Sequence, residues 1–330
     1  MDGQPRLSIG LPVYNGEKYL AESLDALLGQ SYTDYELIIS DNASTDATAE
    51  ICRRYQSLDP RIRYFRQQRN IGAVPNHNFV FQEAGGELFK WAAADDLYAR
   101  DLLERCVAAL DEHPDVVLAH SWTAAVDSSG SLTQALEYPL KTDSASAPER
   151  FASMLFGTGE DDQGLIRADD QYGIMRSEML RKVAPQGSFY HSDRVIMTEV
   201  ALHGPFYQVP QWLYFRRDHG DRPQQASPTV RGWCANLDPR RSNRLLHPTV
   251  RLLAEFLWGY VAAIRRAPLS AADRRECYRQ LARWITSHAS PAAHRAVRGG
   301  FFSGESVAIP SPTAQISLET IVAGRERNQA

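Results

Sequence analysis

The first 120 residues alternate between short apolar runs and amphipathic segments, and this alternation restricts the fold more than any other feature of the sequence. The apolar runs, each of strand length, lie at residues 7–13, 36–40, 62–65, 88–92 and 116–120. Between the first two runs, Leu20, Leu24 and Leu27 share one face of a predicted helix that ends at Gly29. Strands that alternate with helices in this way form a mainly parallel sheet with helices on both faces. The sequence therefore predicts an α/β fold.

Polar residues follow the predicted strands directly. Pro12 to Asn15 end the first strand, Asp41 and Asn42 follow the second, and Asp95 and Asp96 follow the fourth. In parallel sheets, ligands bind beyond the carboxyl ends of the strands, so we expect these segments to line one crevice.

Two carboxylates at this crevice suit a divalent cation. Mg²⁺ and Mn²⁺ prefer carboxylate and phosphate oxygens, which makes Asp95 and Asp96 candidate ligands. An aspartate directly after a strand is also typical of a helix start, so the pair alone does not define a metal site. Its position in the predicted crevice favours the metal.

The segment after the second strand suits a nucleotide base. Asp41 can accept a hydrogen bond from the imide N–H of uracil or thymine, although an Asx turn is an alternative role. We expect Ser44 or Asp46 to cap the next helix, which would leave Asp41 for a ligand. Pro12 and Tyr14 would wall the base, although Tyr14 also suits an ordinary core position.

Composition excludes several classes of protein. The net charge of −4 does not fit a general nucleic-acid binder, although arginines are dense from Arg216 onward. The four cysteines form no C-x-x-C pair, which argues against a disulfide scaffold or a zinc knuckle. Residues 1–6 lack the apolar run of a signal peptide, and the apolar run at 252–264 is too short to span a bilayer. We expect a cytoplasmic protein, with peripheral attachment to the inner face of the membrane left open.

Four motifs together resemble family 2 inverting glycosyltransferases of the GT-A fold, which is Rossmann-like. They are residues 7–17, residues 41–46, Arg69-Asn70-Ile71-Gly72 and Asp95-Asp96-Leu97-Tyr98. The resemblance is strong over residues 6–125 and weaker to about residue 220. It implies a UDP- or dTDP-sugar donor, a Mn²⁺ or Mg²⁺ ion, and inversion at the anomeric carbon.

The resemblance also implies roles for individual residues. The implied nucleotide-sugar contacts are Pro12, Tyr14, Glu17, Asp41, Asn42, Arg69, Asp95 and Arg216. The implied metal ligands are Asp95, Asp96 and His219, where His219 belongs to a segment similar to a family strand that ends in Arg and His. The first acid of the family's D-x-D motif is replaced by Ala93, which predicts weaker metal affinity with more ligands from the donor diphosphate.

A second resemblance, over residues 191–204, implies a general base. Transfer to a hydroxyl group requires a carboxylate beside the sugar C1 on the acceptor side, and Asp193 is our candidate. A simple helix N-cap is the alternative role for Asp193. Glu199 is the second choice, but its spacing along the helix points it elsewhere. Four further acids receive no role: Asp161, Asp162, Asp169 and Asp170.

The chain divides by pattern into a GT-A domain at 1–225 and a helical accessory segment at 226–330 with a poorly ordered tail. Within the GT-A domain, residues 1–125 form the nucleotide-sugar and metal half, and residues 126–225 form the acceptor half. The expected acceptor is a hydroxyl of a saccharide, a glycolipid or a polysaccharide precursor. The accessory helices would pack on the catalytic domain, or else mediate a homodimer or rest on a membrane. We expect deletion of residues 303–330 to leave activity intact.

Two other functions fit parts of the pattern. A nucleotidyltransferase would need a glycine-rich, basic loop after the first strand, and Asn15-Gly16-Glu17-Lys18 matches that poorly. A catalytically degenerate protein used for binding or assembly would explain Ala93. The carboxylates at 41, 95, 96 and 193 argue against it.

Overall fold

The computed structural model describes residues 4–135, 141–156, 169–220 and 229–289, and a nine-stranded sheet forms its centre. The strands are β1 (Leu7–Val13), β2 (Tyr35–Asp41), β3 (Ile62–Arg66), β4 (Leu88–Trp91), β5 (Leu97–Tyr98), β6 (Leu118–Val126), β7 (Leu132–Ala135), β8 (Ile174–Arg176) and β9 (Phe206–Arg217). Their spatial order is β3-β2-β1-β4-β8-β6-β9-β5, and β7 pairs with β6.

The sheet is parallel where the alternating sequence pattern predicts it. β1 runs parallel to β2 and β4, and β2 runs parallel to β3. β8 is antiparallel to both β4 and β6, and β5 is antiparallel to β9, while β6 and β9 are parallel. The carboxyl ends of β1, β2 and β4 therefore lie at one edge, as the sequence predicts.

Helices follow the strands in the predicted order. They are α1 (Leu20–Leu28), α2 (Thr48–Leu58), α3 (Ala73–Gln82), α4 (Leu102–Glu112), α5 (Ala147–Phe156), α6 (Ser177–Leu180), α7 (Ser192–His203), α8 (Val230–Leu237), α9 (Thr249–Arg266) and α10 (Ala271–Ala289). α1 begins at Leu20 and α2 at Thr48, because the residues directly after β1 and β2 form loops.

The two faces of the sheet carry separate apolar cores, because successive strand residues point to opposite sides. Leu37 and Ile39 of β2 belong to a core that includes residues of α1, α2 and α4. Ile38, between them, belongs to a second core that includes residues of α3, α6 and α7. Each face is therefore covered by helices, which explains why β2 is apolar over its central residues without alternation.

The helices after residue 228 pack against α7. Phe256 and Tyr260 of α9 share a third apolar cluster with Val195 of α7 and Phe151 of α5. At Gly259, a Cβ atom would lie 2.9 Å from Cγ1 of Val195, so only glycine allows this close approach. Of the helices in the described ranges, none is both long and apolar enough to cross a membrane.

Two of the predictions, and two of the acids without an assigned role, fall outside the described residues. The proposed division at 225/226 lies in the undescribed stretch 221–228, and Asp161 and Asp162 lie in the undescribed stretch 157–168. The expected poor order of the chain's last residues also stays a prediction.

Candidate functional site

The loops after β1 and β2 are joined by hydrogen bonds at the carboxyl edge of the sheet. The backbone N–H of Asn15 donates to Oγ of Ser44 at 2.9 Å, and the N–H of Thr45 donates to Oδ1 of Asn15 at 2.9 Å. Glu17 accepts a hydrogen bond from the N–H of Ala47 at 2.9 Å. Glu17 therefore ties the two loops together in this structure.

Backbone conformations that side chains rarely adopt are concentrated at this edge. Among the described residues other than glycine, only three have positive φ: Asn15 at 51°, Ala43 at 60° and His191 at 50°. Such residues cost on the order of 1–3 kcal/mol each and cluster at functional sites. Two of them lie in the joined loops, and the third directly precedes α7.

The side chain of Asp41 stabilises the turn after β2. Its Oδ1 accepts a hydrogen bond from the N–H of Ser44 at 2.8 Å, and its Oδ2 accepts one from the hydroxyl of Tyr64 at 2.9 Å. Asp41 is fully buried, and the guanidinium of Arg66 lies 3.5 Å from Oδ2. The expectation that Asp41 would be left without a turn contact is therefore wrong, because Ala43 turns the chain back and brings Ser44 over the carboxylate.

Asn42 holds the loop that carries Arg69. Its Oδ1 accepts a hydrogen bond from the N–H of Ile71 at 2.8 Å, and its Nδ2 donates to the carbonyl of Gly72 at 3.2 Å. Gly72 has a φ of 95°, and a Cβ there would lie 2.5 Å from the carbonyl oxygen of Leu237 in α8. Arg69 is exposed on this loop. The start of α3 and the end of α8 thus meet beside the crevice.

Tyr14 lies at the surface of the crevice. Its side chain is 48% exposed, which decides against an ordinary core position. Pro12, the residue before the end of β1, is half-buried. The two residues that the resemblance assigns to the wall of the base pocket therefore lie at the expected edge.

Asp95 and His219 meet at the end of β9. Nε2 of His219 lies 3.0 Å from Oδ2 of Asp95, although the two residues are 124 positions apart. The His219 ring also packs on the ring of Tyr19, with centroids 4.8 Å apart. This brings together two of the three metal ligands that the resemblance implies.

Asp96 supports the strand instead of facing the crevice. It is 1% exposed, and its carboxylate accepts hydrogen bonds from the hydroxyl of Tyr214 and from the N–H of Arg217. Its oxygens are therefore engaged by β9, and the metal site that we propose below does not include Asp96. The adjacent acid fixes the end of β9 next to Asp95.

Arg217 is the residue that the sequence reasoning missed. It is 1% exposed, and it donates to the carbonyl of Asp95 at 2.9 Å, the carbonyl of Ser128 at 3.1 Å and Oε2 of Glu22 at 2.6 Å. Its guanidinium also lies over the ring of Tyr19 at 4.5 Å. Arg217 therefore fixes the backbone of the residue whose side chain meets His219.

Strand alternation in the sequence does not distinguish Arg217 from Arg216, because Tyr214 and Phe215, on opposite sides of β9, are both buried. Arg217 lies on the side of Phe215. Arg216 points to the opposite side of β9 and is half-buried. The expectation assigned Arg216 to the donor phosphates, and the structure gives its neighbour the central structural position.

Asp193 lies in the first turn of α7 and is half-buried. The start of this helix has no capping hydrogen bond from a side chain, so the N-cap alternative for Asp193 does not apply. His77 of α3 and His191 are neighbours of its charge. Burial lowers the pKa of each histidine to about 4, and the carboxylate of Asp193 opposes this shift. Both imidazoles are therefore neutral at physiological pH.

Two other acids named in the sequence analysis, Glu199 and Asp170, are buried next to basic side chains. Glu199 is buried and forms a two-bond ion pair with Arg266 of α9, at 2.6 and 2.7 Å, so it points away from the crevice as predicted. Asp170 is buried beside His120, with 3.6 Å between its Oδ1 and the histidine Nδ1. Burial raises the pKa of Asp170 to about 7.

A mainly parallel sheet with a polar crevice at its carboxyl edge defines an α/β protein of the Rossmann-like class. Comparison with known proteins narrows this class. The model of "Glycosyl transferase family 2" matches residues 8–182, more than half of the chain, and the chain belongs to this family. Its fold is the GT-A fold of glycosyltransferases.

Named relatives match about a third of the chain. "Putative glycosyltransferase EpsE" of Bacillus subtilis is 35% identical over 114 residues, which is 34% of this chain and 41% of the relative. "Putative teichuronic acid biosynthesis glycosyltransferase TuaG" of the same species is 32% identical over 102 residues, 31% of this chain and 40% of the relative. The chain thus spans only about two fifths of the length of these relatives.

A solved structure extends the similarity of fold to most of the chain. TarS 1–349 of S. aureus in complex with UDP superimposes with a TM-score of 0.58 and 17% identity, over 88% of this chain and 74% of that one. At this identity, the match establishes the fold.

Proposed function

We propose that the protein is an inverting glycosyltransferase that moves a sugar from a UDP- or dTDP-sugar to a hydroxyl group of an acceptor. The observation that supports this most directly is the contact between Asp95 and His219, which places a carboxylate and an imidazole at the carboxyl edge of the sheet. The proposed donor pocket lies on one side of this pair. The proposed general base, Asp193, belongs to α7. This helix lies in the proposed acceptor half and packs against α9.

The donor pocket is built from the joined loops. Tyr14 and Pro12 would stack on the base, and the exposed guanidinium of Arg69 would reach the ribose or a phosphate. Asp41 and Asn42 would shape the turn and the loop that present these groups. Arg216 and Glu17 would approach the donor from the two ends of the crevice, as the family resemblance implies.

A divalent cation fits the Asp95–His219 pair. Asp95 and His219, in contact at 3.0 Å, would hold the ion, because a carboxylate oxygen and an imidazole nitrogen are both metal ligands. No group of three or more His, Cys, Asp or Glu side chains suited to a metal occurs in the described ranges, so the donor diphosphate would supply further oxygens. When bound, Mn²⁺ or Mg²⁺ would neutralise charge on the departing diphosphate.

Asp193 would act on the acceptor. Its carboxylate takes the proton of the acceptor hydroxyl, the hydroxyl oxygen bonds to C1 of the sugar, and the bond from C1 to the diphosphate breaks on the opposite face. His77 and His191, the two histidines beside Asp193, are neutral and do not compete for this proton. Attack on the face opposite the leaving group inverts the anomeric configuration.

The acceptor is proposed as a saccharide, a glycolipid or a polysaccharide precursor. TuaG, a partial relative, is named for teichuronic acid biosynthesis, which supports a polymer precursor as a first acceptor class to test. The described residues give no geometry for a bound acceptor.

A calorimetric titration tests the donor site. UDP and dTDP are titrated into the wild type and Asp95→Ala, each with Mn²⁺ and with EDTA, and Asp115→Ala, an exposed residue before β6, is the control. We expect metal-dependent binding that only Asp95→Ala abolishes. Binding that ignores both EDTA and Asp95→Ala would reject the metal site. The absence of binding by either nucleotide would reject the proposed donors.

A catalytically degenerate binding protein is the second candidate, and Ala93 favours it. Ala93 stands where the family has the first acid of D-x-D, and its backbone is bonded to the hydroxyl of Tyr98. Donor binding without transfer or hydrolysis of the sugar would identify this function. Turnover by the wild type that is lost in Asp193→Asn would reject it.

A further inference from the structure

Exposed apolar side chains are concentrated in one short stretch of the chain. In the described ranges, nine large apolar side chains are exposed, and five of them lie between residues 245 and 258. They are Leu245, Leu246, Val250, Leu253 and Trp258, which we call the outer patch. Leu245 is 93% exposed and Val250 is 79% exposed, so these side chains are almost fully in water. An apolar patch of this kind marks an interaction surface.

Three residues of the outer patch, Val250, Leu253 and Trp258, belong to α9, and Leu245 and Leu246 lie in the turn before it. Leu252 and Phe256 of α9 are buried against the rest of the protein. Helical spacing places Val250, Ala254 and Trp258 on the opposite side, and all three are exposed. Exposed apolar side chains on the free face of a helix whose other face is already packed mark an interaction surface.

The charge around the outer patch identifies the kind of partner. Residues 238–266 contain six arginines and two acidic residues, Asp238 and Glu255, which gives this segment a net charge of +4 in a chain whose net charge is −4. Arg240 pairs with Asp238, and Arg266 pairs with Glu199 of α7. Glu255 pairs with Arg241 and Arg251 at the base of the helix. Arg265 lies over the ring of Trp258 at 5.9 Å. Tryptophan, leucine and arginine together are the composition of helices that lie in the interface of a bilayer.

Other occupants fit this surface less well. A second copy of the chain in a symmetric dimer would bring the same arginine-rich face against itself, which opposes association. A nucleic acid would use the arginines but would leave the leucines, Val250 and Trp258 in water. A bilayer with anionic phospholipids satisfies both the apolar side chains and the positive charge.

We propose that the outer patch docks on a membrane surface that contains anionic phospholipids. Val250 and Trp258 would enter the headgroup region, with the exposed Arg244 and Arg265 against lipid phosphates. The opposite face of α9 packs on α7, which carries Asp193. Docking would therefore hold the axis of α7 about 10 Å from the axis of the docked helix α9. That orientation favours a lipid-linked acceptor, an extension that rests on the proposed function, whereas docking itself does not.

Vesicle co-sedimentation of the full chain tests the docking. Vesicles of phosphatidylcholine alone are compared with vesicles that also contain phosphatidylglycerol, at 0.1 M and 1 M NaCl. We expect binding to the anionic vesicles that falls with salt, because screening shortens the range of the arginine charges. Val250→Ser with Trp258→Ser should lower binding by about tenfold or more, since two apolar side chains no longer leave water.

A matched control separates docking through the outer patch from nonspecific adsorption by any exposed apolar side chain. Leu58 is 73% exposed at the end of α2, far along the chain from the patch, and Leu58→Ser should bind as the wild type does. Because all the changed side chains are exposed, far-UV circular dichroism and the thermal midpoint should stay constant, which excludes misfolding.

Three outcomes would overturn the proposal. They are no binding to anionic vesicles, equal binding by the Val250→Ser/Trp258→Ser variant, and a dimer in sedimentation velocity that this variant dissociates. Transfer to a water-soluble acceptor, measured separately, reports on the proposed function. Its failure would leave the vesicle result unchanged, so the two proposals fail independently.

Discussion

Asn78 and Gln186 exchange two hydrogen bonds across 108 residues of sequence. Nδ2 of Asn78 donates to the carbonyl of Gln186 at 2.9 Å, and the N–H of Gln186 donates to Oδ1 of Asn78 at 3.1 Å. Asn78 belongs to α3, next to the proposed donor pocket, and Gln186 precedes α7, which carries Asp193. One amide side chain thus ties the donor half to the segment that places the proposed base.

We expect Asn78→Ala to lower kcat more than donor affinity. Loss of both hydrogen bonds leaves a backbone N–H and a carbonyl without these partners and should cost about 1–3 kcal/mol of stability. It should also loosen Asp193 relative to the donor. Steady-state kinetics and calorimetric donor binding would check this, with Asn236→Ala, an exposed asparagine of α8, as the control. A variant with full kcat would contradict the positioning role.

Asp193→Asn should separate binding from chemistry. Removal of a general base typically costs a factor of about 10²–10⁴ in rate, and the amide keeps nearly the same size. Donor binding should change less than about twofold, because Asp193 lies outside the proposed donor pocket. Asp115→Asn is the matched control. A parallel loss of donor binding in Asp193→Asn would argue that this residue holds the donor.

His219→Gln should weaken metal-dependent donor binding. Loss of a ligand or of its close support typically lowers metal affinity by about 10–100-fold. Titration with Mn²⁺ should show this loss, while titration in EDTA should give the same weak binding as the wild type. His113→Gln, a half-buried histidine stacked on Tyr207, is the control. Unchanged Mn²⁺ dependence in His219→Gln would remove His219 from the site.

Substitution of the buried Arg217 should lower the free energy of unfolding more than substitution of its exposed partner Glu22. Glu22 is 57% exposed, so Glu22→Gln should cost less than about 1 kcal/mol of unfolding free energy. Arg217→Met removes three hydrogen bonds from a buried guanidinium and leaves the carbonyls of Asp95 and Ser128 without that donor. We expect a cost of about 2–4 kcal/mol in urea unfolding. Equal losses of unfolding free energy in the two variants would show that Arg217 stabilises the protein mainly through its bond to the Glu22 carboxylate.

The pKa of Asp170 makes stability depend on pH in a defined direction. Burial raises this pKa from 3.8 to about 7, so the folded state binds more protons than the unfolded state between these values. The contribution of Asp170 is fully present below pH 3.8 and is lost as the pH rises through 7. Asp170→Asn lacks this loss. Relative to the wild type, it should therefore gain on the order of 2–4 kcal/mol between pH 4 and pH 8.

Urea unfolding at several pH values measures this difference. His77 and His191, whose pKa values are lowered to about 4, affect both proteins alike and cancel in the comparison. A constant difference between Asp170→Asn and the wild type would show that Asp170 is ionised in the folded protein at neutral pH.

The sequence by itself determined the order of elements and the edge at which the site lies. Continuous apolar runs with polar residues directly after them define buried parallel strands, and parallel strands end at one edge. That reasoning placed Tyr14, Asp41 and Asp95 at the carboxyl edge. It also separated Glu199 from Asp193 by helical spacing.

Only the tertiary structure decided which side chains meet. Asp95 and Asp96 are adjacent in sequence, yet one meets His219 and the other is buried under Arg217 and Tyr214. The choice depends on how β9 lies against β5, a pairing of segments more than a hundred residues apart that no local pattern encodes. The same holds for Asp41, whose contact with Ser44 depends on a positive φ at Ala43, an alanine that by itself gives no sign of a tight turn. Local propensities act within a few residues, and the contacts that assign a role to each carboxylate arise from packing across the sheet.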